Sequence, residues 1–321
     1  MKAQTISIIG LGRTGASVGL ALKASKLGVT IVGHDKDRDA AKAAQEAGAV
    51  DSQQWRLVRA AAEGDIIILS VPDSEVEGIL QAIGEDVREH ALILSLSSLK
   101  GPGQRWADQY LRNGHFVGAV AVLSAGALTD GTAGIRGARP DLFQNSILCL
   151  VPSPTADPKA VETAVNLGTI LGAKPFFLDA EEYDNLVLGI ETIPGLLAAA
   201  LFNAVTGASG WRDMLRFANL PFAQATLPLR DDKSLALRAL NDQAATLRWL
   251  DAVLEALQAV RQRVAQGDSE QLAAYLQGLS LERDKWLHNR EQNEWEEVAQ
   301  PDFEPRGIMG QFLGQRGGSD S

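Results

Sequence analysis

Cysteine and histidine are scarce in this sequence of 321 residues, which holds one cysteine, Cys149, and four histidines. A single cysteine excludes an intramolecular disulfide framework and a cysteine-based zinc cluster. No two histidines have the spacing of a metal-binding pair. We therefore predict no metal site, and we interpret Cys149, which lies inside an apolar run, as a buried apolar side chain.

Positive charge is also in short supply. Thirty lysine and arginine residues stand against forty aspartate and glutamate residues, which gives a formal net charge of −10. No run rich in lysine or arginine interrupts this balance, so we predict neither a nucleic-acid partner nor an anionic membrane partner. We expect no targeting peptide, because a strand-like run begins at residue 5, and no apolar run of membrane length. These features indicate a cytoplasmic protein, of about two domains for this length.

The first half of the chain alternates short apolar runs with helical patterns. Apolar runs without polar alternation are typical of parallel strands that are covered on both faces. Their repetition predicts an α/β fold with a doubly wound, Rossmann-type dinucleotide-binding domain over residues 1–178. The predicted strands are 5–9, 30–33, 66–71, 92–96, 116–122, 147–151 and 175–178, and the predicted helices include 16–24, 38–47 and 74–83.

Beyond residue 178 the strand pattern stops. Leucine and isoleucine recur at steps of three and four residues from Leu186 to Leu197, and again with valine from Leu247 to Val264, which predicts long helices. We expect an all-helical substrate and dimerisation domain over residues 179–298 and a mobile or strap-like tail over residues 299–321. The apolar stripes exceed what one pair of helices can bury, which favours a homodimer through this domain.

A glycine-rich motif follows the first predicted strand and opens a helix. It fits the pattern G-x-G-x-x-G and consists of Gly10, Leu11, Gly12, Arg13, Thr14 and Gly15. In such a motif the first glycine allows a tight turn, the second lets the backbone approach a pyrophosphate, and the third lets the helix pack on the strand. Asp35, twenty residues past Gly15, is placed to accept both hydroxyl groups of the adenosine ribose. This carboxylate favours NAD over NADP, although Lys36 and Arg38 next to it keep NADP possible.

Several segments resemble the prephenate/arogenate dehydrogenase family, the NAD(P)-dependent enzymes of tyrosine biosynthesis. The motif at residues 10–22 resembles the family's G-L-G-x-x-G-x-S-x-x-x-A-L, and residues 67–72, which end in Ser70, Val71 and Pro72, resemble V-I-L-A-V-P. Residues 98–100 resemble S-V-K, residues 138–143 resemble A-x-x-x-L-F, and residues 211–218 resemble F-R-D-x-T-R-I-A. The resemblance implies an NAD(P)-dependent oxidative decarboxylation and a dimer, with Ser70, Val71 and Pro72 beside the cofactor.

The family's histidines are missing from this sequence. Val120 stands where the family places the histidine that helps to remove the hydroxyl proton of the substrate. Residues 191–195 correspond to a later S-H-x-P-H segment of the family but contain neither of its histidines. The H-D pair that opens this helix in the family is replaced by Tyr183 and Asp184. We expect a replacement group at the carboxyl ends of the strands or on the first long helix of the second domain.

Six residues are the candidates for the chemistry. Glu191 lies on an otherwise apolar helix, where burial would raise its pKa toward that of a general base, and Asp184 lies seven residues earlier on the same face. Arg216 matches the family's carboxylate-binding arginine, whose guanidinium suits bidentate recognition. The predicted catalytic residues are Glu191, Lys100, Ser98 and Tyr183, and the predicted substrate-binding residues are Arg216 and Thr192.

Three hypotheses for the function follow from this pattern. The chain is a dehydrogenase acting on prephenate, arogenate or a close analogue, with proton removal by Glu191, Tyr183 or water. Alternatively, the same scaffold oxidises or reduces a different small carboxylic acid, because the histidine losses arise in two separate segments. In the third hypothesis the chain binds NAD as a non-catalytic sensor. All three share the dinucleotide cofactor.

Overall fold

A computed structural model describes residues 4–128, 130, 132 and 134–292 of the protein. The chain forms two compact units. The first unit comprises the described residues up to Val71, Glu75–Ala180 and those from Trp286 onward; the second comprises Pro72–Ser74 and Glu181–Lys285. The predicted tail at residues 299–321 lies outside the described residues.

One eight-stranded sheet organises the first unit, in the order β3-β2-β1-β4-β5-β6-β7-β8. All neighbouring strands are parallel except β6 and β7, which pair antiparallel. The strands are β1 (Thr5–Ile9), β2 (Thr30–His34), β3 (Ser52–Gln53), β4 (Ile66–Leu69), β5 (Leu92–Ser95), β6 (His115–Ala121), β7 (Ser146–Pro152) and β8 (Ala173–Phe177). The order reverses direction between β1 and β4, which is where ligands of open α/β sheets bind. The predicted doubly wound α/β fold is confirmed.

Helices connect the strands of the first unit and form the second unit. Those between the strands are α1 (Arg13–Ala24), α2 (Arg38–Glu46), α3 (Leu57–Glu63), α4 (Asp73–Ile83), α5 (Gly101–Tyr110) and α6 (Pro158–Ile170). The later helices are α7 (Ala180–Val187), α8 (Ile193–Thr206), α9 (Trp211–Met214), α10 (Leu220–Thr226), α11 (Asp232–Asn241), α12 (Gln243–Gln266) and α13 (Ser269–Gln292). A π-helical turn, Leu188–Thr192, joins α7 to α8.

The sheet is buried on both faces, as the uninterrupted apolar runs predict. In β1, Ile6 and Ile8 belong to one apolar cluster and Ile9 to a second. Ser7, which is also buried, donates its hydroxyl to the Ala60 carbonyl at 2.6 Å, so its polar atom is satisfied. Two-sided burial fixes β1 rigidly, and the carboxyl end of this strand carries the glycine-rich turn.

Asp65, just before β4, secures the amino-terminal strand. Its carboxylate accepts the backbone N–H groups of Gln4 at 2.7 Å and Thr5 at 3.0 Å, and the guanidinium of Arg88 at 2.6 Å. Burial raises the pKa of Asp65, but these hydrogen bonds and the charge of Arg88 outweigh burial and hold the pKa below its ordinary value.

Because ionised Asp65 is favoured in the folded state, its contribution to the free energy of unfolding is present above the ordinary carboxyl pKa and is lost as the pH falls through the lowered value. We expect Asp65→Asn to reduce the free energy of unfolding by roughly 1.5–3 kcal/mol at neutral pH. The difference from wild type should shrink in acid. Urea unfolding at several pH values measures it, with Asp108→Asn, on the exposed side of α5, as the control. A difference that does not depend on pH would contradict this assignment.

The second unit leaves many apolar side chains exposed. In the stripe from Leu186 to Leu197, Ile193 is buried, whereas Ile190 is 74% exposed. On α12, Leu254 and Leu257 are also exposed. The exposed large apolar side chains of α8 and α12 are Leu197, Leu201, Phe202, Leu247, Trp249, Leu254, Leu257 and Val264. These two helices therefore present several large apolar side chains to solvent.

One expectation about apolar runs is wrong. The continuous helix Ala180–Thr206, 27 residues long, is long and apolar enough to cross a membrane by length and composition, with a mean hydropathy of 1.7 over its most apolar window. The reason is that residues 185–202 contain a single charged side chain, Glu191. A third of that window is buried within the protein, and core helices of soluble proteins have the same composition.

Candidate functional site

The glycine-rich turn between β1 and α1 has the shape that a dinucleotide requires. Gly10 has a φ of 92°, and a Cβ atom there would lie 2.2 Å from the Ser70 carbonyl oxygen. A Cβ atom at Gly15 would lie 2.0 Å from the Gly10 carbonyl oxygen. Both glycines are therefore required by the packing of the turn itself.

Gly12 differs from these two glycines. A Cβ atom at Gly12 would meet no protein atom within 4 Å, and φ at this residue is −70°, which any residue adopts. Protein packing thus does not explain the missing side chain, whereas the close approach of a pyrophosphate does. Gly12 is also the N-cap of α1, and neither a side-chain cap nor an acidic first-turn residue satisfies the helix amides there. The residues of this turn fit a dinucleotide phosphate group.

Asp35 follows β2 and lies against the same turn. Its carboxylate accepts the backbone N–H of Leu11 at 2.7 Å and that of Asp37 at 2.9 Å. These two bonds orient the side chain and leave lone pairs for ribose hydroxyl groups. The two basic neighbours are engaged elsewhere: Lys36 pairs with Glu75 at 2.8 Å, and the Arg38 guanidinium lies 5.2 Å from the centre of the Trp55 ring. This arrangement favours NAD over NADP.

Most of the remaining predicted cofactor residues lie in or beside the turn. Ser70 directly follows β4 and donates its backbone N–H to Ile9 at 2.8 Å, which places it against Gly10. Thr14 lies in the first turn of α1, and Val71 is half-buried beside Gly10. Pro72 is exposed and belongs to the second unit.

Ser98 and Lys100 lie between β5 and α5. Lys100 is 1% exposed, and its ammonium donates to the carbonyl oxygens of Ser97 and, at 2.8 Å, Ala119. A Cβ atom at Gly118 would lie 2.8 Å from Lys100 Cδ, so the lysine crosses β6 where the strand has no side chain. Ser98 itself is half-buried. Lys100 thus ties together the carboxyl ends of β5 and β6, and its contact with a substrate stays a prediction.

The π-helical turn places Glu191 and Thr192 in the second unit. Thr192 is 1% exposed, whereas Glu191 is half-buried. Pro194, which lacks an N–H group, cannot donate the α-helical hydrogen bond to residue 190, and a wider turn at this point accommodates that loss. The turn interrupts the regular seven-residue spacing from which we predicted that Asp184 and Glu191 share a face.

The other two candidates of the second unit lie on different elements. Tyr183 is 4% exposed in α7, so its phenol is part of the core. Arg216 is exposed in the turn after α9, where its backbone N–H donates to the Asp213 carbonyl. An exposed guanidinium is available to a carboxylate ligand.

Sequence reasoning missed the long-range contacts of two arginines of the first unit. Arg13 was assigned to the cofactor motif, but its guanidinium contacts the segment that connects β6 to β7, more than 110 residues away. Arg290 on α13 donates to the Leu123 carbonyl at 2.8 Å, and burial lowers the pKa of this guanidinium. Local patterns carry no signal for such distant contacts. Among the residues that the structure describes, no group of three His, Cys, Asp or Glu side chains is placed to hold a metal ion.

Comparison with known proteins assigns the family. A sequence model described as "Prephenate dehydrogenase, nucleotide-binding domain" matches residues 18–176. Prephenate dehydrogenase of Bacillus subtilis is 28% identical over 296 residues, which cover 87% of this chain and 75% of the relative. The matched residues identify the first unit as a nucleotide-binding domain of the prephenate dehydrogenase family. Cyclohexadienyl dehydrogenase of Zymomonas mobilis, a further relative, is 24% identical over 83% of this chain and 90% of its own length.

Solved structures agree with the fold of this family. Prephenate dehydrogenase from A. aeolicus, in complex with hydroxyphenyl propionate and NAD+, matches with a TM-score of 0.73 and 19% identity over 88% of this chain and 98% of that one. Synechocystis arogenate dehydrogenase matches with a TM-score of 0.63 and 22% identity, over 88% of this chain and 99% of that chain. The family assignment confirms the resemblance of the sequence motifs.

Proposed function

We propose that this chain is an NAD-dependent dehydrogenase of the tyrosine-biosynthesis type, which converts prephenate or arogenate by oxidative decarboxylation. Family membership supports the reaction class, and the open space above Gly12 is the observation that carries the cofactor assignment. In this reaction the hydroxyl-bearing carbon of the ring loses a hydride, the hydroxyl loses a proton, and the ring carboxylate leaves as carbon dioxide. Bound NAD supplies the hydride acceptor.

The protein's own residues bind the two substrates and move the proton. The first-turn amides of α1 and the Asp35 carboxylate would hold the pyrophosphate and the adenosine ribose. Arg216 would bind a substrate carboxylate through its guanidinium. Glu191 is the proposed proton acceptor, with Tyr183 or water as the alternatives. Thr192 remains a predicted substrate-binding residue, and Ser98 and Lys100 of the first unit remain predicted catalytic residues.

The substrate assignment is tested by following NADH formation with prephenate and with arogenate, and then repeating both assays with NADP. We expect Arg216→Ala to raise the KM for the substrate by about tenfold to a hundredfold, because it removes a charge-assisted hydrogen bond to a carboxylate. Arg212→Ala is the matched control, since Arg212 is also exposed on this segment. Equal effects of the two variants would contradict a specific role for Arg216.

Two other results would redirect the proposal. Binding of NAD in calorimetry without turnover of either compound would favour the same scaffold acting on a different small carboxylic acid, or a sensor. The absence of histidine at Val120 and Thr192 is the observation that favours such a remodelled pocket. No binding of either nucleotide would overturn the dehydrogenase proposal itself.

We also propose that two copies associate through the second unit. The exposed apolar side chains of α8 and α12 support this, because a second copy would remove them from water. Sedimentation at micromolar concentration should give a dimer, and Leu257→Glu on α12 should shift it toward monomer. Glu255→Gln, an exposed change two residues away, is the control. A monomeric wild-type protein would contradict the proposal. We place the enzyme in the cytoplasm, where its cofactor pool is, with no nucleic-acid or membrane partner.

A further inference from the structure

The guanidinium of Arg13, the first residue of α1, holds the segment between β6 and β7. Its Nε donates to the Gly137 carbonyl at 3.2 Å, its Nη1 to the Thr132 carbonyl at 3.1 Å, and its Nη2 to the Ala127 carbonyl at 3.4 Å. Nη2 also lies 2.5 Å from Oδ2 of Asp130. The fourth residue of the glycine-rich motif is therefore neutralised by an aspartate of a distant segment.

This contact is built from several residues and not from one chance pairing. Asp130 accepts the backbone N–H of Thr132 at 3.0 Å and its hydroxyl at 2.8 Å, which fixes the carboxylate. A Cβ atom at Gly137 would lie 2.6 Å from the Thr132 hydroxyl and 3.1 Å from Arg13 Cδ, so the absence of a side chain at Gly137 leaves room for both side chains. The hydrogen bonds from Thr132 and the charges of Arg13 and Arg139 hold the pKa of Asp130 below its ordinary value despite partial desolvation.

A second tie joins the same two elements. The hydroxyl of Ser17 on α1 accepts the backbone N–H of Arg139 at 3.0 Å and donates to the Arg13 carbonyl at 2.7 Å. Ser17 is fully buried. Arg139, nine residues beyond Asp130, is thus held to α1 even without the ion pair, so a change at Asp130 leaves this second anchor in place.

The position of this ion pair matters because the N-terminus of α1 is where the dinucleotide phosphates would bind. An anion at that terminus is stabilised by the helix amides and by nearby positive charge. Arg13 carries the positive charge of the motif, and its guanidinium already forms an ion pair with the carboxylate of Asp130. A pyrophosphate approaching the turn meets an aspartate that is bonded to the same cation.

We propose that Asp130 competes with the pyrophosphate of the dinucleotide for Arg13, and thereby lowers the affinity of the phosphate-binding turn for the dinucleotide. The inference rests on the proposed dinucleotide site. Arg13 would exchange one anion for the other as the cofactor binds, while Ser17 keeps the segment in place. The pair Arg13 and Asp130 is then a determinant of cofactor affinity, and the ligand group that it recognises is a pyrophosphate.

The test measures the dissociation constants of NAD+ and ADP-ribose by calorimetry on the full chain at several salt concentrations. We expect Asp130→Asn to lower both constants by about threefold to tenfold and to steepen their dependence on salt, because one more positive charge faces the phosphates. Thr132→Val, which removes one of the two hydrogen bonds that fix the carboxylate, should lower both constants in the same direction but less. Asp141→Asn is the matched control, because Asp141 carries the same charge but pairs with Arg139 at 3.1 Å.

The double variant separates exchange of partners from simple repulsion. In an Arg13→Gln background, Asp130→Asn should change neither constant, because no cation remains to be shared. Equal tightening in both backgrounds would show long-range repulsion and would overturn the exchange. Unchanged or weaker binding by a folded Asp130→Asn variant would also overturn it while leaving the dinucleotide site intact. If wild-type protein binds neither ligand, the proposed function fails as well, and the two failures are thus distinguishable.

Discussion

Gly12→Ala is expected to abolish tight nucleotide binding while leaving the protein folded. A Cβ atom at this position meets no protein atom, and the backbone there is not left-handed, so the variant should lose less than about 1 kcal/mol of unfolding free energy. The same methyl group would stand where a pyrophosphate must approach the amides of α1. Loss of one or two charge-assisted hydrogen bonds should raise the dissociation constant of NAD+ at least about a hundredfold.

Two further glycine variants make this experiment specific. Gly15→Ala places a Cβ atom 2.0 Å from the Gly10 carbonyl oxygen, so that variant should lose stability and binding together. Gly278→Ala, on α13 with no atom within 4 Å of the added Cβ, should lose neither. Thermal melts and calorimetry on the three proteins give both quantities. Normal binding by Gly12→Ala would show that the phosphates lie elsewhere.

The strand prediction succeeds where burial is two-sided. β1 was predicted at its observed bounds, because an apolar run that ends in glycine leaves little choice of boundary. β4 ends at Leu69 and not at residue 71, since Ser70 turns to pack on Gly10. β3, the two residues Ser52–Gln53, was missed because it is short and has no apolar pattern. Edge strands of this kind are set by their neighbour β2 and not by their own residues.

The site was predictable only where a local motif encodes it. The turn of Gly10 to Gly15 and the carboxylate of Asp35 follow from spacing alone, and the structure brings them together through the Leu11 N–H. The ion pair between Arg13 and Asp130 joins residues 117 positions apart. No local sequence pattern at either residue predicts this pairing. Long-range contacts of this kind come from the packing of the whole unit.

The π-helical turn was predictable in part from the local sequence. Periodicity predicted a continuous helix through Leu186 and Leu197, and a helix is present, but Leu188–Thr192 is wider than an α-helix. Pro194 was a visible signal, because its missing N–H removes one α-helical hydrogen bond. The wider turn is packed from one side by Trp249, since a Cβ atom at Gly189 would lie 2.8 Å from that ring. Such turns are frequent at functional sites.

Glu191→Gln is expected to lower kcat for the proposed substrate by about 10²–10⁴-fold, because it removes a positioned proton acceptor without changing shape. The dissociation constant of NAD+ should stay within about twofold, since no interaction with the phosphate-binding turn is removed. Glu181→Gln is the matched control, being an exposed carboxylate in the first turn of α7. Single-turnover measurement of NADH formation isolates the chemical step from product release.

The alternatives to Glu191 give distinct results in the same assay. Tyr183 is buried in α7, so Tyr183→Phe tests whether the phenol removes the proton. If Glu191→Gln retains full kcat and Tyr183→Phe does not, the role belongs to the tyrosine; if both retain it, water is the acceptor. We favour Glu191 because it is the only ionisable residue among Leu188–Thr192, and the helix widens where it stands.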